Sequence, residues 1–177
     1  MAVIKGGDKL RAALEEMSKK VRNPATLQVG FLENATYPNG RSVAEVAAWQ
    51  EFGTDKIPPR PFFRTMIKDK SPNWGNAIGT ILERTDYDAA RTLELFGEGV
   101  KGQLQQSIED TLDPPLSPIT LMLRKMKAEN PDLEVTGTVV GEAARRVAAG
   151  ESTDGVPTKP LFETGTLLNA VDSRVKT

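Results

Sequence analysis

The chain has 177 residues, a formal net charge of −1, ordinary apolar content and few aromatic side chains, enough for one domain with a sizeable core but not comfortably two. It contains no cysteine and no histidine, which excludes disulfides, thiolate and imidazole metal sites, and Ser–His–Asp or Cys–His catalysis. Acids and bases are interspersed, so the totals give no basic nucleic-acid patch.

In chain order, Asp8 is placed to cap a helix in which Leu10, Ala13, Leu14, Met17 and Val21 recur at helical spacing. Asn23-Pro24 is its stop. Residues 26–32 alternate, with Leu27, Val29 and Phe31 on one face, and read as a strand. After a turn at Asn39-Gly40, Ser42 and Glu45 form the pattern of a capping box. The helix that follows carries Val43, Val46, Ala47 and Gln50 on one face, with Trp49 and Phe52 at its border. Gly53 suits the left-handed position that closes it.

Pro58 and Pro59 hold the next loop extended, and Pro61 suits the first turn of a short helix. Residues 71–85 read as helical but weakly ordered. The strongest helical pattern runs over 88–112, where Ala89, Leu93, Phe96, Val100, Leu104, Ile108 and Leu112 form a stripe. Gly97, Gly99 and Gly102 interrupt it at about 1 kcal/mol each relative to alanine. They either admit another backbone closely or mark a local kink. Residues 113–120 form a rigid link, in which Ser117 caps a helix with Pro118 at its first position; Asn130-Pro131 ends that helix. A further helix over 138–149 closes at Gly150. A turn at Thr164-Gly165 leads to a last strand from about Ala170, since Val171, Ser173 and Val175 alternate. The expected fold is α+β: a small mixed β-sheet, including 26–32 and the C-terminal strand, packed with several helices, one of them long and central.

Chemistry is sparse. Glu15, Glu16, Glu45 and Glu51 could supply a carboxylate pair of glycosidase type, or simply line solvated helix faces. The three glycines of the long helix follow no strand and are not a dinucleotide fingerprint. Asp86 and Asp88 could offer oxygen ligands to a metal, or be two surface acids. No catalytic, cofactor or metal residue is assigned. No apolar run approaches the roughly 18 residues of a membrane span, and the first ten residues lack the apolar centre of a signal peptide.

The unusual segment is "EFGTDKIPPRPFFR", residues 51–64. Phe62 and Phe63 are adjacent, so on a helix they face different ways. Arg60 and Arg64 are four apart and offer planar forks to carboxylates. The expectation is that Phe52 and one of Phe62 or Phe63 are buried. The other phenylalanine, with Arg60 or Arg64, then lies at a subunit contact, and neither arginine sits in the core. The plainer alternative is a local apolar cluster with both arginines in solvent.

Three segments in this order, "VAEVAAWQEFGTDKIPPRPFFR", "PLSPITLMLRK" and "KPLFETGTLLNAV", carry a resemblance. The first resembles the signature of tail-completion and head–tail joining (tail terminator-like) proteins of long-tailed phages. The other two are similar to segments of the minor tail protein Z and Mu-like virion morphogenesis families. Together they span most of 43–171; residues 135–158 look like an insertion within a single domain covering 1–177. The resemblance implies a structural virion protein and not an enzyme, assembled in the host cytoplasm and placed at the phage neck or the head-proximal end of the tail. It implies a ring, commonly hexameric, that meets the tail tube protein on one side and the head connector or stopper on the other. DNA then passes through the lumen without specific binding, and no membrane or cofactor is involved. The alternatives are a head-side stopper or adaptor ring, and a carboxylate-dependent hydrolase acting during infection.

Overall fold

A computed structural model describes residues 7–21, 25–32, 35–162 and 164–176. Its elements, in order, are α1 (Gly7–Val21), β1 (Thr26–Phe31), α2 (Val43–Phe52), α3 (Phe62–Lys70), α4 (Trp74–Arg84), α5 (Ala89–Asp110), α6 (Pro118–Glu129), α7 (Gly137–Ala148), α8 (Thr166–Asn169) and β2 (Val171–Lys176), with a 3₁₀ turn at Ser71–Asn73 joining α3 to α4. The fold is α+β, with α5 as the long central helix.

The start of α5 is chemically determined: the Asp88 carboxylate accepts the Arg91 amide at 3.0 Å, satisfying one of the helix's orphan donors. Its stripe of Phe96, Val100, Leu104 and Ile108 is buried, while Leu93 is half-buried and Leu112 lies beyond the helix in solvent. On this stripe rests the sheet, β1 and β2 paired antiparallel with Leu27 opposite Val175, Val29 opposite Ser173 and Phe31 opposite Val171. These pairs face α5. A Cβ added at Gly97 would lie 2.7 Å from Leu27 Cδ1 and 3.3 Å from Ser173 Cβ. Of the two readings for the α5 glycines, close approach therefore holds at Gly97. Gly99 and Gly102 face open space.

Around the same core pack α2, α3 and α4. The Trp74 ring meets Phe96 edge-on at 5.9 Å, and its Nε1 donates to Gln103 Oε1 at 2.9 Å. The stretch expected to be weakly ordered is thus a regular helix seated on α5. The capping box at Ser42 does not form: Ser42 occupies the N-cap position but its side chain makes no cap hydrogen bond.

Two parts of the chain, a helical hairpin and α1, stand apart. Helices α6 and α7 make a hairpin around a small apolar cluster of Met122, Met126 and Ala143. Ser117 and Thr136 cap them by accepting the amides of Thr120 and Val139. Helix α1 keeps the expected apolar period, but Leu10, Leu14, Met17 and Val21 are all exposed. The Lys20–Asp86 ion pair links it to the body, and its expected stop at Asn23-Pro24 lies outside the described residues. Among the described residues no helix is long and apolar enough to cross a membrane.

Candidate subunit-contact site

The 51–64 stretch is organised by a buried carboxylate. Helix α3 begins after Pro61, which has no side-chain cap to offer, so its first amides lack partners of their own. Glu51, on the last turn of α2 and only 4% exposed, supplies them. Its Oε2 accepts the Phe63 amide at 2.8 Å and its Oε1 accepts the Arg64 amide at 3.0 Å. The same Oε1 takes Arg64 Nε at 2.8 Å, and Arg64 Nη2 donates to the Glu51 carbonyl at 2.9 Å. A carboxylate at a helix N-terminus is favoured both by the free N–H groups and by the helix dipole. The chain must reverse sharply for this, and Gly53 makes it possible. Its φ of 77° and ψ of 173° lie outside the left-handed helical region expected for it, in territory that only glycine visits readily. A Cβ there would come within 2.9 Å of the Ile57 carbonyl oxygen.

Arg60 forms a second tie. Its amide donates to the Gln50 carbonyl at 2.6 Å, its Nη1 to Gln50 Oε1 at 2.9 Å, its Nε to the Pro114 carbonyl at 2.8 Å and its Nη2 to the Pro115 carbonyl at 3.2 Å. Arg60 is 4% exposed, which corrects the expectation that it lies outside the core as an interface fork. Its guanidinium is spent within the chain on the proline link. Burial, and then the positive charge of Arg124, push its pKa below the ordinary arginine value.

Arg124 forms the third tie. Its Nη1 donates to the carbonyls of Pro157 and Lys159 at 2.7 and 3.0 Å. It thereby fastens α6 to the strap that leads into α8. The three ties bring the three motif segments to one place: Arg60 joins the first to the start of the second, and Arg124 joins the second to the start of the third. Between them lies an open cleft of about 380 Å³, lined by residues of all three segments, among them Gln50, Arg124 and Leu161.

Solvent sees a different set of side chains. Phe62 is buried, its ring edge-on to Phe31 at 6.1 Å, and its carbonyl accepts from Ser107 Oγ at 2.7 Å. Phe63 is half-buried beside Gly30. Phe52, expected in the core, is 67% exposed. The exposed Arg64 guanidinium lies over its ring, with Cζ 5.0 Å from the centroid. Phe52 is displaced because the last turn of α2 gives its inward position to Glu51. Arg41 repeats the arrangement over Trp49 at 5.1 Å. Of the expected site residues, Arg64 and part of Phe63 therefore reach the surface, whereas Arg60 and Phe62 do not. Arg124 was not singled out, and Gln50 and Glu51 were noted only as a helix-face residue and a possible catalytic carboxylate, not as the ties they form. Their only sequence signal is polarity at positions where the helical period calls for an inward side chain.

The acids considered for chemistry have other settings. Glu15, Glu16 and Glu45 are exposed on helices, Glu51 caps α3, Asp86 pairs with Lys20, and Asp88 caps α5. Among the described residues, acids do not gather in threes as a metal ion would require. The chain matches no protein-family model, no curated protein and no solved structure.

Proposed function

We propose that this chain is a structural virion protein of a long-tailed phage, placed at the neck or head-proximal end of the tail. There it forms a ring, hexameric in this reading, that completes or terminates the tail tube and joins it to the head connector, with DNA passing through the lumen. The observation that carries the reading is the convergence of three motif segments, far apart in sequence, on one joint made by Glu51, Arg60 and Arg124. The residues of the resemblance serve one another rather than a reaction centre. What the joint leaves outside is an aromatic–guanidinium stack, Phe52 at the end of α2 with Arg64 in α3, at the base of a loop stiffened by Pro58 and Pro59. Aromatic and arginine side chains dominate many interfaces, and a pre-stiffened loop loses less entropy on docking. A near-neutral chain also suits a conduit through which DNA slides, since a strongly basic lumen would hold it.

The test is a set of particles assembled without this protein and then supplemented with it. The expected result is unjoined tails, or tails of uncontrolled length, that the wild-type protein rescues and Phe52→Ser does not. Phe52→Ser is chosen because Phe52 lies outside the core, so its far-ultraviolet circular dichroism should match wild type. Filled heads that lose DNA while tails stay normal would assign the protein to the head-side stopper instead. Release of sugars or peptides from peptidoglycan by the purified chain would overturn the structural reading.

A further inference from the structure

The open cleft of about 380 Å³ between the three ties combines an apolar side with one sign of charge. Val46, Leu161 and Leu167 make the apolar side, and the last two belong to the buried core. Among the described residues of the lining, three are basic, Arg41, Arg124 and Lys127, and none is acidic. Glu163, next in sequence to Thr164, lies outside the described residues. Elsewhere cations meet nearby acids, as Arg91 does Glu94 and Lys125 does Glu151. Neither Arg41 nor Lys127, both exposed, makes an ion pair among the described residues.

Two of these cations are already held in position. Arg124 is fixed by the Pro157 and Lys159 carbonyls. Arg41 is carried by a tight turn. There the Gly40 amide donates to the Tyr37 carbonyl at 2.8 Å, the Tyr37 amide to the Arg41 carbonyl at 2.9 Å, and the Arg41 amide to Asn39 Oδ1 at 3.1 Å. Its guanidinium lies over the Trp49 ring. A guanidinium held over a ring keeps its N–H edges for a carboxylate. Lys127, on the last turn of α6, adds a mobile point charge.

We propose that this cleft docks an extended peptide segment of another protein, one that carries carboxylates beside an apolar side chain. The apolar side chain lies against Leu161 and Leu167, and the carboxylates meet Arg41 and Lys127. Charge complementarity selects this occupant. A bare anion would leave the apolar side wet, and an apolar segment without acids would desolvate two cations with no counter-charge. The volume suits one or two side chains and not a folded surface, since it is near the low end for ligand sites. Little side-chain freedom is lost on docking, because Arg41 and Arg124 are placed beforehand. The cleft would take such a segment whether or not the chain forms a ring.

The experiment titrates the full chain with the synthetic peptide acetyl-Gly-Glu-Leu-Glu-Gly-amide up to millimolar concentration, followed by amide NMR. The expected result is shifts concentrated at 37–41, Lys127 and 164–167. Replacing both Glu of the peptide by Gln, or its Leu by Gly, should weaken binding by about tenfold or more, and so should Lys127→Glu in the chain. Lys127→Glu should leave circular dichroism unchanged, because the side chain is exposed. A peptide that shifts nothing in the cleft would overturn the site. Equal binding of the Gln peptide would remove the carboxylates from recognition and overturn it too. Inorganic phosphate that binds as tightly as the peptide would reduce the cleft to a simple anion site. Random-sequence duplex DNA that shifts the same amides at lower concentration would give it to nucleic acid. Self-association by light scattering that Lys127→Glu abolishes, with the peptide unbound, would make a second copy the occupant and overturn the foreign segment.

Discussion

The α5 core and the α6–α7 hairpin are built on different principles. Around α5, buried apolar side chains from α2, α3, α5, the 160–170 segment and β2 meet in one cluster, centred on Leu104 and Phe62. The hairpin buries Met122, Met126 and Ala143 and surrounds them with ion pairs: Lys125 with Glu151, and Arg146 with Glu129, Glu142 and Glu151. Exposed pairs of this sort contribute little each. The hairpin is therefore held to the body mainly by the Arg124 tie and the proline link, not by a shared apolar interior. One region is cooperative through packing; the other is attached.

The sharpest test of that contrast pairs two large-to-small substitutions. Leu104→Ala should destabilise the whole chain by about 2–5 kcal/mol, lowering the melting temperature of every element together. Met122→Ala should sit near the low end of that range, because flexible neighbours can close part of the gap. It should speed amide exchange in α6 and α7 while leaving α5 protected. Equal loss of protection in α5 would mean that the two clusters act as one core.

The ties come next. Arg60→Met removes a buried guanidinium from three carbonyl or amide oxygens and should cost about 1–3 kcal/mol, felt by the α5 core. Arg124→Met should free the hairpin and the 157–160 strap with less effect on α5. Both are measured by chemical denaturation followed at Trp49 and Trp74. The charge reversal Arg60→Glu, which sequence reasoning expects the fold to survive, should instead prevent stable folding, since it sets a carboxylate among acceptor oxygens.

A smaller effect separates the glycines of α5. Gly97→Ala forces Leu27 and Ser173 to move and should cost about 1–3 kcal/mol. Gly99→Ala and Gly102→Ala meet nothing and should stabilise by up to about 1 kcal/mol. Thermal melts of the three variants suffice.

Acid gives the smallest effect and should touch both regions alike. Glu151, hydrogen-bonded to Lys125, and Asp172, hydrogen-bonded to the Ser173 amide and Lys101, both titrate below the ordinary carboxylate range. A depressed folded-state value means that the stabilisation is complete only above the ordinary carboxylate values, from about pH 5 upward, and is lost as pH falls through the lowered values. Asp172 is 57% exposed and Glu151 34% exposed, so solvent screens both pairs and the melting temperature should drop only slightly on acidification. A fall that begins near pH 6 would point to a different titrating group.

Periodicity made the elements legible. The 88–112 stripe, the alternation of 26–32 and of the C-terminal strand, and Ser117-Pro118 each express a local rule that the tertiary structure does not override. It failed where one turn of helix faces a reversal of the chain. Phe52 and Glu51 exchange their expected places because Gly53 folds the N-terminus of α3 back onto α2. Free amides then reward a carboxylate inside more than an aromatic ring. Arg60 was misplaced for a related reason: its acceptors belong to Pro114 and Pro115, over fifty residues away, and no local pattern announces them. The stripe of α1 shows the opposite error, a correct period with no core beneath it.

The tie between Glu51 and the start of α3 has a consequence for chain continuity. Residues on both sides of the 53–59 loop are bound at its base, Gln50 and Glu51 on one side and Arg60, Phe63 and Arg64 on the other. The exposed tip at Asp55 and Lys56 carries none of those bonds. A trypsin nick after Lys56 should then sever the backbone without parting the fragments. They should migrate as one body under native conditions and separate only in denaturant. The covalent bond at the tip should then be dispensable to the fold, because the bonds at the base hold its two sides together.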